Sequence, residues 1–247
     1  MLKIGSIDVY GFEPAIRGAR NPMNSWGKSD SNFDYPDCFS CPNVEEGKET
    51  SCELLHCIVL GENDLKLMKS LSKAGNDHAK FLRMIEVWVD ITAPLYWWKE
   101  ADTYKVGTTE NSCSTMHKIH AKEFERDDFS HEKLLDDIDE KVVKKFKHVR
   151  GYVNTPLDDL DYDIEKLNMY REMFLETNDK VWWEQIIQRL PSSYNQLRTV
   201  HLNYQVLKSM YFARRDHKLS EWHTLCDWML TLPYFKEICV DPCDKNV

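Results

Sequence analysis

Residues 85–92 alternate without a fault: Ile85, Val87, Val89 and Ile91 fall on one side, Glu86, Trp88, Asp90 and Thr92 on the other. Successive side chains of an extended chain point to opposite faces, so this run reads as a half-buried strand. A second strand is expected at residues 1–10, where Leu2/Ile4 and Ile7/Val9 keep a period of two. Elsewhere the apolar spacing is helical. Asn63-Asp64 opens a short helix with Leu65, Leu67, Met68 and Leu71 as its buried side, and Gly75 stands where it should stop. Thr92 is the expected cap of the next helix, with Pro94 as an early helical residue. Residues 158–176 and 178–189 read as two more helices. After the break Leu190-Pro191-Ser192-Ser193, residues Leu197, Val200, Tyr204, Leu207 and Tyr211 recur at intervals of three and four and predict a long helix. A last helix is expected over 220–230, ended by Leu232-Pro233. Strands and helices in this mixture define an α+β chain.

With 247 residues, 42% of them hydrophobic, the chain can bury a sizeable core. A net charge of -9 without a basic arm disfavours a nucleic-acid polymer as partner, whereas a single nucleotide needs only a local basic cluster. No apolar run approaches about 18 residues, so no membrane span is expected. Residues 1–10 read as a strand rather than a signal peptide, because Asp8 interrupts the apolar stretch, and a cytoplasmic location follows as the default. Residues 24–52, rich in Ser, Asp, Asn, Pro and Gly, read as an inserted loop. Residues 122–147 are highly charged and read as a solvated helix, an insertion or an interface arm. The organisation expected is a single domain over 1–247 carrying these two insertions.

The eight cysteines are Cys38, Cys41, Cys52, Cys57, Cys113, Cys226, Cys239 and Cys243. Cys38, Cys41, Cys52 and Cys57 are the candidates for a four-thiolate zinc site, but the second pair has four intervening residues rather than two; unliganded loop thiols are the preferred reading and no metal is expected. Cys113, with His117 four residues on, is read as a small buried thiol in preference to a nucleophile. There is no Gly-rich phosphate loop, no Gly-x-Ser-x-Gly elbow and no His-Glu-x-x-His, and nine glycines leave little room for a dinucleotide-binding turn. Trp97 and Trp98 are expected in the core, with stacking on a flavin or base as the alternative. Asn203 and Arg214 stand out. Eleven residues apart within the expected helix, about three turns, they would share a face on which an amide and a guanidinium can hold a nucleotide or flavin edge and a phosphate.

Three segments, in order and covering about half the chain, together resemble the flavin-dependent thymidylate synthases, the thymidylate synthase complementing family. The first runs from Gly61 to His78, a short helix leading to a histidine ahead of a core strand. The second runs from Ile91 to His117, where the family has an Ala-Pro-start helix and then the signature Arg-His-Arg-x-x-Ser-x-Asn-Glu-x-Ser-x-Arg-Tyr. The third is Leu190-Pro191 through Asn203, Leu207 and Arg214; Ala19-Arg20 echoes an early Ala-Arg near the flavin. Aligned from Pro94, the signature Arg-His-Arg becomes Thr103-Tyr104-Lys105, and Thr108 replaces the first serine. Glu110-Asn111 stands for Asn-Glu, Cys113 for the second serine and Thr115 for the last arginine; a one-residue shift matches Asn111 and Ser114 instead but puts Met116 at the arginine. The family's serine-x-arginine phosphate clamp is broken either way. Gln205 replaces an arginine and Ser209 an asparagine.

The resemblance implies an antiparallel or mixed sheet packed with several helices, a thymidylate synthase-like transferase and methyltransferase of nucleotide biosynthesis. It implies FAD bound between the subunits of a homotetramer, dUMP or a similar pyrimidine deoxynucleotide as substrate, and a methylene-folate and reduced nicotinamide as co-substrates. By the same token His78, Thr103, Tyr104, Lys105, Asn203, Gln205 and Ser209 would bind the cofactor, Glu100, Thr108, Ser114 and Arg214 the substrate, and Arg214 would polarise it. Arg189, Arg198, Lys99, Lys118 and Arg215 are the candidate replacements for the missing arginines. The alternative is a non-catalytic nucleotide-binding or scaffold relative of the same fold.

Overall fold

The structure, a computed structural model, describes residues 2–33, 58–146 and 154–243. Its elements are β1 (Lys3–Tyr10), α1 (Phe12–Arg20), α2 (Glu62–Lys73), β2 (Glu86–Pro94), α3 (Leu95–Ala101), β3 (Thr109–Ser112), α4 (Glu140–Phe146), α5 (Pro156–Thr177), α6 (Lys180–Arg189), β4 (Asn195–Asn203), α7 (Tyr204–Arg214) and α8 (Ser220–Met229). The strands form one antiparallel sheet in the order β1-β2-β4-β3, so the chain is α+β. The four cysteines offered as zinc ligands, Cys38, Cys41, Cys52 and Cys57, lie outside the described residues. Among those described, no group of three metal-ligating side chains occurs.

The alternation in β2 is realised as read: Ile85, Val87 and Val89 are fully buried. In β1 the apolar period changes phase between Ile4 and Ile7. Ser6 sits there at φ 49°, a left-handed residue that adds one position to the strand and restores the inward side to Ile7 and Val9.

Three elements differ from the sequence reading. The long helix expected after Ser193 is a strand, β4, followed by α7. In β4, Gln196, Val200 and Leu202 are buried while Leu197, counted as a core position of a helix, is 39% exposed. Spacings of three and four across Leu197, Val200 and Tyr204 carry too few points to separate the two periods, and Thr199-Val200 is β-branched. Thr92 is not a cap: β2 runs on through Pro94, and the first N–H groups of α3, from Leu95 and Tyr96, donate at 3.0 Å to the carbonyls of Tyr194 and Ser192. In the charged segment 122–147 the described residues are helical only in a short turn at Arg126–Asp128 and in α4. Its acidic side chains take the local backbone donors: Asp128 from Glu125 N–H at 2.9 Å, Asp137 from Ile138 and Asp139 from Lys141 at 2.7 Å. The bonds to Asp128 and Asp139 cap these two short helices, whereas that to Asp137 lies outside both and competes with helix.

Contacts divide the chain into two compact units. The first takes in Met1–Lys3, Ile91–Thr103 and Asn111–Arg198. Its core is Ile119, Phe124, Phe129, Leu160, Leu167 and Ile186, built chiefly on α5 and α6. Thr155 caps α5 reciprocally: its hydroxyl accepts from Asp158 N–H at 3.0 Å and Asp158 accepts from Thr155 N–H at 3.2 Å. Asn178 at φ 54° ends the helix, and Asp179 caps α6. Thr155→Ala is expected to cost about 1 kcal/mol, read as a lower urea midpoint at unchanged slope; an unchanged midpoint would show the cap to be idle. Trp97 and Trp98 are 1% and 2% exposed, edge to face at 4.8 Å. Trp98 Nε1 donates to the Gln196 carbonyl at 3.0 Å and Arg198 lies 4.2 Å over its ring, so this tryptophan is a packing residue with its indole already committed.

The second unit takes in Ile4–Asp90, Tyr104–Glu110 and Thr199–Val247. Tyr204, at the start of α7, is fully buried against Phe12 and Phe235 and donates its hydroxyl to the Pro233 carbonyl at 2.8 Å. On α2 the fully or nearly fully buried positions are Asp64, Met68 and Ser72, four residues apart, while Leu65, Leu67 and Leu71, expected on the buried side, are only half-buried. The polar two are paired. Asp64 accepts Arg20 Nε at 2.6 Å, and Lys208 Nζ donates to Ser72 Oγ at 2.9 Å and to the Ser72 carbonyl at 3.1 Å. That carbonyl belongs to the last turn of α2, where a cation opposes the helix dipole favourably.

Candidate functional site

α7 organises the candidate site. Asn203 is not inside this helix, as the sequence reading had it, but caps it: its Oδ1 accepts from Val206 N–H at 3.1 Å. Arg214 closes the last turn. The loop Tyr104–Thr108 lies along the same helix. At its far end Gly107 has φ 78°, and a Cβ there would stand 3.1 Å from Val206 Cγ2 and 3.2 Å from Asn203 Nδ2. The Thr108 hydroxyl donates to the Tyr104 carbonyl, which tightens the turn. At its near end the Tyr104 hydroxyl accepts from Arg214 Nε at 2.9 Å. The guanidinium carbon lies 4.6 Å from the centroid of the Trp222 ring and 5.5 Å from that of Tyr104. Trp222, on α8, is fully buried and also packs edge-on against Tyr104 at 6.1 Å and His217 at 6.2 Å. A cation stacked on an indole and hydrogen-bonded to a phenol is held as a fixed, planar donor. Lys105 follows Tyr104 in the loop with its side chain exposed, so the loop that meets Arg214 also carries a positive charge of its own.

The other candidates are dispersed. Gln205 and Arg214 are nine residues apart, about half a turn out of phase at about 100° per residue, and so leave opposite faces of α7. Gln205 Nε2 donates to Asn76 Oδ1 at 3.3 Å, which places it beside the turn that carries the exposed His78. Gln205 Oε1 is buried and has no hydrogen-bond partner among the described residues. Ser209, one turn on, is exposed and donates its hydroxyl to the Gln205 carbonyl at 3.0 Å. In the other unit, Thr103 Oγ1 donates to the Glu100 carbonyl at 2.7 Å at the end of α3. There too Ser114 Oγ accepts from the N–H groups of Met116 and His117 at 3.1 and 3.0 Å. Both hydroxyls thus close local turns.

Several expectations are corrected here. Arg20, the echo of a flavin-side arginine, is 4% exposed and locked to Asp64 and to the carbonyls of Ser25 and Lys28. Cys113 is exposed rather than buried. Of the replacement cations, Arg189 pairs with Asp163 at 3.0 Å and Arg198 with Asp102 at 2.6 Å. Burial pushes the Cys226 thiol up to about 11, and that of Cys239 higher still, so both are protonated thiols at neutral pH. Sequence reasoning missed Trp222 and His217, which had no motif; Gly107 was within reach, because a chain with nine glycines spends one directly after Lys105 and Val106.

This architecture defines a class: the fold is that of the flavin-dependent thymidylate synthases. Two crystal structures of Thymidylate Synthase X from Helicobacter pylori, both with FAD and dUMP, match with a TM-score of 0.61 at 16% identity. The match covers 98% of this chain and 99% and 100% of the two solved chains. A UMP/dUMP methylase from Streptomyces cacaoi, bound with 5-Br UMP, matches with a TM-score of 0.53 at 13% identity, over 94% of this chain and 88% of the other. No family model matches the sequence, and no curated protein matches it. Among the described residues no helix is long and apolar enough to cross a membrane.

Proposed function

We propose that this chain binds a pyrimidine nucleotide, dUMP or a close relative, together with FAD, and carries out a flavin-mediated one-carbon transfer to the pyrimidine. The observation that carries the reading is Arg214, pinned by Tyr104 and Trp222, with Lys105 next to Tyr104 in the loop, on a chain whose length matches solved proteins crystallised with FAD and dUMP. A guanidinium fixed before the ligand arrives is the kind of preorganised donor that stabilises charge developing on a pyrimidine carbonyl. Lys105 follows Tyr104 in the loop and suits the phosphate, while the Thr108 hydroxyl holds the turn. The buried, unsatisfied Oε1 of Gln205 fits a ring N–H such as that of the flavin edge, with Ser209 and His78 on that side. When bound, the flavin supplies the methylene relay and the reduction of the product. A methylene-folate and reduced nicotinamide complete the reaction.

Because Arg214 and Gln205 leave opposite faces of α7, a nucleotide at one and a flavin at the other belong to two sites, each completed by another protomer. A homotetramer in the cytoplasm accommodates this arrangement. A second reading keeps the binding and drops the turnover. It is favoured by Thr103 and Thr115, which stand where the signature has arginines. The test is direct. Purified protein is expected to carry or take up FAD, seen as flavin absorbance, and to melt at higher temperature with dUMP. Flavin uptake and a dUMP shift without methyl transfer select the second reading; neither uptake nor shift overturns both.

A further inference from the structure

We propose that Tyr104 is a positioning residue for Arg214, acting through the guanidinium rather than on the flavin, and that the Gly107 turn sets its place. The proposal rests on the nucleotide reading above and goes beyond it by assigning the tyrosine that replaces the signature's histidine.

The geometry is specific. Tyr104 and Arg214 are 110 positions apart, yet the phenol oxygen accepts Nε–H at 2.9 Å. An arginine on the last turn of a helix has several rotatable bonds and loses rotamer entropy when it is held. Trp222 and Tyr104 both hold it. Trp222 supports the guanidinium at 4.6 Å and Tyr104 fixes its rotation by accepting from Nε. With Nε committed to Tyr104, a fork of Nε and one Nη onto a phosphate is closed. Tyr104 is itself held by its loop: Thr108 closes the turn onto the Tyr104 carbonyl, and Gly107 takes a left-handed φ of 78° where a Cβ would crowd the Val206 and Asn203 side chains at 3.1 and 3.2 Å. The phenol oxygen is therefore placed by the same helix whose last residue it orients.

The experiment titrates dUMP and FAD separately against the full-length protein and variants by calorimetry, with melting curves as a control. Tyr104→Phe keeps the ring and removes the acceptor. It is expected to weaken dUMP binding roughly ten-fold, as loss of a hydrogen bond to a charged group does, and to leave FAD affinity unchanged. Tyr104→His restores an acceptor on a ring and is expected to recover at least half of that loss. A merely structural role would shift both ligands, or neither, and would show no rescue. If Tyr104→Phe binds dUMP as wild type does, the positioning role is overturned and the nucleotide reading stands. If wild type binds neither dUMP nor UMP in the same titration, the nucleotide reading fails and the proposal with it. Should Tyr104→Phe lack a cooperative melt, Gly107→Ala takes its place. Its Cβ displaces the loop from Val206, the same ten-fold loss is expected, and undiminished dUMP affinity overturns the proposal.

Discussion

Asp64→Ala is expected to destabilise the second unit by about 3–5 kcal/mol, the range for removing one partner of a buried ion pair. Asp64 is fully buried and Arg20 is 4% exposed. Each carboxylate oxygen is used. Oδ1 accepts from Arg20 Nε and pairs with Nη2 at 2.6 Å. Oδ2 accepts the hydroxyls of Ser29 and Ser31 at 2.8 and 2.7 Å and the N–H groups of Asp30 and Ser31 at 3.1 Å. The alanine variant leaves a buried guanidinium and two backbone donors without their acceptor. The double variant Arg20→Met, Asp64→Leu removes both charges and is expected to recover part of the loss, because burying two charges is itself costly. A loss below about 1 kcal/mol for Asp64→Ala in urea unfolding would show that the pair is not what ties the 20–31 segment to α2.

The same carboxyl gives a pH dependence of known sign. Burial alone would raise its pKa, but the hydrogen bonds from Ser31, Ser29, Arg20 and the Asp30 N–H prevail and hold it below its ordinary value of 3.8. A carboxyl depressed in the folded state contributes stability that is complete above the unfolded value and lost as pH falls through the folded one. Wild type should therefore lose stability below about pH 4 more steeply than Asp64→Asn. Parallel acid limbs for the two proteins would contradict this.

Arg214→Ala is expected to weaken dUMP binding by about ten- to hundred-fold, the range for one hydrogen bond to a charged group. It also removes the cation that packs between Tyr104 and Trp222, so a modest fall in melting temperature should accompany it. Arg214→Lys separates charge from shape. A lysine keeps the positive charge but has no Nε donor for Tyr104 and no planar group to lie on the indole. Its affinity should fall between the two. Equal dUMP affinity for wild type and Arg214→Ala would remove this helix end from the nucleotide site.

How much of this was legible in sequence depended on the distance over which each feature is decided. The strand at β2 and the helices α5, α6 and α8 are fixed by neighbours two to four residues apart, and periodicity finds them. The charged run 122–147 does not make one continuous helix among the described residues, because side-chain bonds such as Asp137 to Ile138 N–H take donors a helix needs, a competition that charge patterning does not register. For the site, the resemblance pointed to Tyr104 and Arg214 separately as ligand-facing groups. That they face each other is a fact of tertiary structure.

The amino-acid order alone determined an α+β chain, most of its helices, and an arginine and a lysine worth watching. The folded chain decided that 195–203 is extended, that Asn203 caps a helix it does not belong to, and that Arg20 is spent on Asp64. It also decided that Gln205 and Arg214 look away from each other. Each of these turns on which of two nearly equal local options gains the larger buried or hydrogen-bonded contact, and that contact is supplied by residues tens of positions away.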